Sequence, residues 1–500
     1  MRKNKHSALL FDFSGDWYVP NLGQKLEGHL KTKKQLLYLE LFTENTFENQ
    51  VLSDNLNVNY YSYPIIIGNS VRNGQCTLYK CTWAGIKQIS GKRYRLKYQV
   101  EFAFLNAVIE NENELLVKSA NFTFSHLSSW YDGAESLHRL NAYTGIFVNG
   151  IERPLDTLNK HKTVKITENI DFVFIDSFER SDTQSGNSYE KRFQKYLRIQ
   201  FKVPVLFDEL ISTAAYFSNL LEVSLFKKIP FIVHDITFIE DAYSHLESHQ
   251  FNSVKSSIVV NFSLSGWMHI TDGIISQHRM LISRWKFDED SLNNIIRIWF
   301  SNRIYSHIYD YFIDSHVWEI GSQRFVSNVI FNNKFLNMLQ GVEGFHKIFY
   351  GNEKPENSRF LTNKADVLKL IKEPKLKNWL NDNLNPPKTK YTNLKDKIEH
   401  LIIDFTPFLI VRFGEMDLTN NFFQRAVAYR NILSHGSQKS TNQGEEFSKL
   451  FLAIQYLLAL CILKTLKINN PDNTVKHNIY LNDSANAIIE YVNKNIEKYS

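Results

Sequence analysis

The spacing of apolar residues along this chain changes period once, and that change limits the fold more than any other feature. From Ser7 to about Val203, apolar residues alternate with polar or charged ones, as at Leu37, Leu39 and Leu41 and again from Tyr94 through Leu96, Tyr98 and Val100 to Phe102. Period two places every second side chain on one face of a strand. Thr163 to Phe178 has the same texture, and turn signals stand at Asn73-Gly74, Ser90-Gly91 and Asn149-Gly150. This half reads as an antiparallel sandwich or barrel-like sheet. From Phe207 to Phe226 the period moves toward 3.6, and strands return at Pro230–Ile239 and Ser256–His269. The β-rich region, with at least one helix packed on it, is therefore expected over residues 1–270. After Asp288 helical spacing dominates, first in the long amphipathic stretches DEDSLNNIIRIWFSNRIYSHIYDYF and SNVIFNNKFLNMLQGVEGFHKIFY. The polar stretch Asn381–Thr392, with two prolines, reads as an exposed loop, and helices resume at Leu394–Phe413 and Glu445–Leu466. The expected class is multidomain α+β, with the β-rich half followed by an all-α bundle of about five helices in residues 271–500.

Composition narrows the function classes. At 43% hydrophobic, 500 residues can bury two or three cores. The 58 basic and 52 acidic residues permit a polyanionic partner without requiring one. Cys76, Cys81 and Cys461 form neither a disulfide framework nor a metal knuckle, so a reducing, cytoplasmic setting is expected. The basic start MRKNKHSALLFDF reaches Asp12 after a very short apolar run, unlike a secretory signal. The longest apolar segment, Leu450–Leu463, carries Gln455 and falls short of the ~20 residues a spanning helix needs. It reads as a buried core helix of a soluble protein.

The candidate chemistry lies in Asn421–Ser437, NFFQRAVAYRNILSHGS. At about 100° per residue, Phe422, Ala426, Tyr429 and Leu433 form one apolar stripe, with Arg430 at its flank and Asn431 and His435 on the polar side. Thr419 or Asn420 can cap the helix start and Gly436 suits its end. His435 then falls in the last turn, where the helix dipole favours the imidazolium. Spacing and geometry alone also fit ordinary solvated residues on a surface helix. Glu343 and His346 share another helix face at i and i+3, either bordering the site or forming a plain core or surface pair. Asp241, His245 and His249 have the spacing of metal ligands on a helix but no nearby Cys, and no metal or other cofactor is expected. The phosphate loop, the G-x-S-x-G elbow and H-E-x-x-H are absent.

Three stretches carry a resemblance. SGDWYVPNLGQKLEGHL, with Gly15, Trp17, Pro20 and Gly28, resembles the opening of the ApeA-type N-terminal domain. IIIGNSVRNGQCTLYKC and FTFSHLSSW look like later strands of that domain. YRNILSHG, Tyr429–Gly436, is similar to the R-x-x-x-x-H signature of HEPN nucleases, and LQGVEGFHKIF looks like the first helices of an ApeA-type HEPN domain. The resemblance implies a HEPN bundle at about 310–495 and an antiphage abortive-infection endoribonuclease that needs no metal. Arg430 and His435 would be catalytic with Asn431 beside them, and Glu343 would be a polar partner. Its partners would be RNA, with transfer RNA suggested by analogy, a second copy of the chain, and a phage-derived activator sensed by the β-rich half; no membrane is involved. From another class, the bundle could instead be a catalytically inactive dimerisation or binding module that docks a partner protein or RNA.

Overall fold

The computed structural model describes residues 12–19, 24–33, 36–44, 63–70, 74–91, 93–105, 107–132, 161–182, 189–225, 229–238, 259–261, 280, 282–284, 287–303, 306–314, 328–351, 353, 358–385, 391, 393–405, 422–435 and 444–467. They divide into two compact units, a β-rich one that includes residues 283–300 and a helical one from Ser301 onward.

In the β-rich unit, β1 (Asp12–Val19), β2 (Gln24–Lys33), β3 (Leu36–Glu44), β4 (Tyr63–Ser70), β5 (Gly74–Ser90) and β6 (Arg93–Leu105) are antiparallel neighbours in the order β6-β3-β2-β1-β4-β5. Because β5 also pairs with β6, the ring closes into a six-stranded barrel. Gly74 and Gly91 take positive φ, +68° and +50°, at two of the expected turns. The period-two pattern fills the interior. Trp17, Leu30, Leu37, Leu39, Leu41, Leu96, Tyr98 and Val100 belong to one buried cluster. On the outer face Lys97 lies 3.8 Å from the centroid of the Tyr38 ring, and Glu40 accepts Lys31 at 2.7 Å and Arg95 at 3.4 Å. Burial alone would raise the Glu40 carboxyl; Lys31 and Arg95 outweigh it and hold the group below its usual range.

Trp17 explains the glycines around it. It pairs across the ladder with Gly68 of β4, and a Cβ at Gly68 would lie 2.3 Å from its ring; one at Gly28 of β2 would lie 2.7 Å away. The barrel closes around this indole only where neighbouring strands carry no side chain.

The second sheet comprises β7 (Leu116–Phe124), β8 (His161–Lys165), β9 (Ile170–Asp182), β10 (Tyr189–Leu206) and β11 (Phe231–Phe238), ordered β11-β7-β10-β9-β8. Three helices accompany these strands: α1 (Leu127–Asp132), α2 (Phe207–Leu225) and α3 (Glu289–Ser301). Phe217 of α2 meets Phe124, Trp130 and Phe172 edge to face at 5.1, 5.8 and 5.4 Å. Phe207 meets Phe102 and Phe104 of β6 in the same way, which joins barrel and sheet. Lys195 of β10 bridges buried Asp132 and Asp176. Trp299 of α3 donates to the Tyr216 carbonyl at 2.9 Å and the Tyr216 hydroxyl donates back at 3.1 Å, so α3 belongs with the sheets. β12 (Val259–Asn261) extends the edge of β6. The remainder of the strand expected at Ser256–His269, the Asn149-Gly150 turn and the Asp241, His245 and His249 triplet lie outside the described residues.

The helical unit contains α4 (Ser306–Asp314), α5 (Asn328–Tyr350), α6 (Ser358–Leu370), α7 (Pro374–Asn383), α8 (Leu394–Asp404), α9 (Phe422–His435) and α10 (Gly444–Thr465). α4, α5, α8, α9 and α10 pack together as the expected bundle, whereas α6 and α7 pair with each other as a hairpin. Two expectations change. The amphipathic stretch after Asp288 is broken between α3 and α4, and the first three residues of the expected Asn381–Thr392 loop continue α7. Lys364 of α6 donates to the Asn381 carbonyl at 2.7 Å, satisfying one of the last carbonyls of α7 and prolonging it. The apolar segment lies in α10, where Leu457 through Leu463 are buried. Among the described residues no helix is long and apolar enough to cross a membrane.

Filling the Trp17 slot should unfold the barrel more readily. Gly68→Ala is expected to lower stability by roughly 1–3 kcal/mol, read as a lower midpoint in denaturant. Trp17→Leu in the Gly68→Ala background should return part of the loss, since the two sites are in contact.

Candidate functional site

The motif helix α9 is held by its apolar stripe. Ala426 and Tyr429 are buried, Leu433 is half-buried, and Arg430 and Asn431 are exposed. Arg430 Nη1 donates to Asn431 Oδ1 at a long 3.4 Å, so the guanidinium keeps most of its donors for a ligand. His435 is the last residue of α9; its side chain, like Gly436 and the capping candidates Thr419 and Asn420, lies outside the described residues.

Tyr429 fixes where this helix sits. Its ring lies 5.7 Å from that of Phe447 at the start of α10, and Phe447 lies 5.2 Å from Phe335 in the first half of α5. α9 also packs on α8. An aromatic chain thus ties the motif helix to the N-terminal ends of two long helices.

Glu343 and His346 are further along α5. At 1.5 Å per residue they stand about 12 and 16 Å beyond Phe335 along the axis. Glu343 accepts Lys397 of α8 at 2.5 Å. His346 is 1% exposed, and its Nε2 faces His400 Nδ1 at 3.1 Å, one ring donating and the other accepting. Tyr391 stacks on His400 at 4.4 Å, and the Tyr350 ring meets it edge-on at 4.6 Å. The Tyr350 hydroxyl donates to Asp404 at 2.5 Å, and Lys464 of α10 bonds to both groups. Among the described residues no hydrogen bond or ion pair joins Arg430 or Asn431 to Glu343 or His346. The structure therefore brings Arg430, Asn431 and the His435 backbone together on α9, and places Glu343 and His346 in a separate polar seam between α5, α8 and α10.

That seam has its own electrostatics. Burial, then the His400 ring and Lys397, push the His346 imidazole down to about 4, so it is neutral near pH 7. For Asp404, burial alone would raise the carboxyl; hydrogen bonds from Lys464 and Tyr350 outweigh it and hold it below its usual range. His400, Tyr350, Asp404 and Lys464 went unremarked in the sequence. A signal was there: Glu343, His346 and Tyr350 repeat the i, i+3, i+7 spacing of Lys397, His400 and Asp404, which puts two matching polar stripes on two helices. No group of three His, Cys, Asp or Glu among the described residues could hold a metal ion.

A His whose folded pKa is depressed favours the folded state at pH values above its unfolded pKa, ~6.5. The contribution of His346 is thus complete at pH 7 and is lost as pH falls from ~6.5 toward 4, where the unfolded chain binds the proton more readily. Unfolding in denaturant at pH 7.5 and 5 should show a loss of stability of up to about 2 kcal/mol. His346→Phe should flatten that part of the slope even if it lowers stability throughout.

No curated protein and no solved structure shows significant similarity to the chain. Two family models do match. The ApeA N-terminal domain 1 covers residues 12–299, the barrel, the second sheet and nearly all of α3, and the Apea-like HEPN domain covers residues 336–472, from α5 to the end of α10. The first match alone spans more than half of the chain and the second contains the motif helix, so the chain belongs to the ApeA family of HEPN-domain proteins.

Proposed function

We propose that this protein is a metal-independent endoribonuclease of antiphage abortive-infection defence, with α9 carrying its active residues. One observation carries the reading. In a chain with an ApeA-type HEPN domain, Arg430 and Asn431 project to solvent from a helix that is anchored on its other face by Tyr429 and ends at His435.

RNA supplies the nucleophile. His435 takes the 2′-OH proton, the 2′ oxygen bonds to the adjacent phosphorus, and the bond from phosphorus to the 5′ oxygen breaks. The leaving 5′ oxygen takes a proton from an imidazolium or from water. Arg430 binds the non-bridging oxygens and offsets the charge that develops on them. Asn431, within reach of Arg430, steadies the guanidinium or the phosphate. The products are a 2′,3′-cyclic phosphate and a 5′-OH. One copy supplies one Arg and one His from a single helix, so a second copy facing it would complete a composite site. The β-rich unit acts as sensor of a phage-derived signal, and structured cytoplasmic RNA such as transfer RNA is the substrate class favoured by analogy with other HEPN toxins.

Incubation of the purified chain with total RNA in EDTA tests this. Wild type should cleave, His435→Ala should lose about 10²–10⁴-fold in rate, and Arg430→Ala about 10²–10³-fold. An intact RNA pool with wild type, or cleavage by both variants at the wild-type rate, would sink the reading.

A further inference from the structure

The α6–α7 hairpin is unlike the rest of the bundle. α7 buries none of its ten residues. Its packing among the helices is against α6, whose Leu361, Val367 and Leu370 are themselves exposed. Isolated helices of this length are marginal in water, and helices in proteins draw most of their stability from a buried face. Trp379 is 60% exposed and Leu370 80% exposed, with Leu376 one turn before the Trp. Such a surface is unfinished without something laid against it.

The charges on the hairpin select what that is. Lys372, Lys375 and Lys377 are exposed, and among the described residues none of their ammonium groups makes an ion pair or hydrogen bond. Lys375 precedes Trp379 by four residues, so ammonium and indole share one face of α7. Lys364 and Lys369 are by contrast engaged, with the Asn381 carbonyl and with Asp366. Uncompensated lysines beside an open indole are the two parts of a single-strand nucleic-acid platform: the cations follow the phosphates and the ring takes a base on its face. A second copy of the same hairpin would set lysine against lysine, which disfavours self-association here.

We propose that the α6–α7 hairpin is a single-stranded RNA platform, with Trp379 stacking a base and Lys372, Lys375 and Lys377 contacting the backbone. It rests on the ribonuclease reading for its ligand but not for its geometry. The hairpin follows directly on the C-terminal end of α5, whereas Tyr429 is tied to the other half of that helix, with about 22 Å of α5 between Phe335 and Tyr350. It holds RNA outside the reacting dinucleotide.

The test uses the full chain. Fluorescence anisotropy of a labelled single-stranded RNA is measured with His435→Ala alone, so that the probe stays intact, and with Trp379→Ala or the triple substitution Lys372→Glu, Lys375→Glu, Lys377→Glu added. Circular dichroism checks that each variant is folded. Binding should weaken about tenfold or more with Trp379→Ala, in the range of one lost base stack. The lysine variant should lower the slope of log affinity against log salt by about 2, as loss of three single-strand phosphate contacts requires. With His435 retained, cleavage-competent chains carrying the same hairpin changes should show a raised KM for a long RNA and an unchanged kcat for a dinucleotide. Equal binding by parent and hairpin variants overturns the platform, as does an unbound probe with the parent or a hairpin that captures a protein while RNA affinity stays constant. RNA that binds through the hairpin yet is never cut by wild type would overturn the nuclease reading and leave the platform standing.

Discussion

Three polar pairs set the stagger of the helices on which the motif helix rests. Glu343 meets Lys397, His346 meets His400 and Tyr350 meets Asp404, so α5 and α8 ascend in parallel and in step. Apolar packing alone would permit neighbouring staggers at modest cost, because ridges and grooves repeat every turn. A one-turn slip here would leave a buried imidazole without its partner, one ion pair broken and the Tyr350–Asp404 hydrogen bond lost, a penalty that hydrophobic contacts do not repay. Lys464 extends the lock to α10 through Asp404 and Tyr350. α9 packs on α5 and α8, so the direction in which Arg430 projects follows from that register.

The two kinds of polar group are treated in opposite ways. His346 is buried, neutral near pH 7 and committed to His400, which suits a positioning role within the bundle. Arg430 is exposed and makes one long bond to its neighbour, which suits contact with a ligand. A titratable His intended for proton transfer needs access to water or substrate, and a 1% exposed imidazole has little. In the proposed reading the chemistry belongs to the helix end, and the seam holds that helix in place.

What could be read from residues alone follows a physical boundary between local and non-local information. Helical projection of α9 needs only its own fourteen residues, and it placed Ala426 and Tyr429 inward and Arg430 and Asn431 outward. Alternation located β3 and β6, but whether the sheet is a sandwich or a barrel depends on β5 pairing back on β6, which no single strand announces. The glycines at 28 and 68 stood out as texture; that both make room for Trp17 depends on strands brought together only by the fold. His346 was visible as a candidate, yet its partner His400 is separated from it by 54 residues. The α6–α7 hairpin escaped notice as a surface because its apolar residues lack a packed face, and helical periodicity detects only faces that are buried.

The central claim is that α9 cleaves RNA through the sugar hydroxyl. A synthetic RNA of a sequence that the protein cuts, carrying one 2′-deoxy nucleotide immediately 5′ of the scissile phosphate, isolates that atom. The account predicts that the all-ribose strand yields a 2′,3′-cyclic phosphate by mass spectrometry and that the substituted strand stays whole at that position. Cleavage of both strands at the same rate would contradict it.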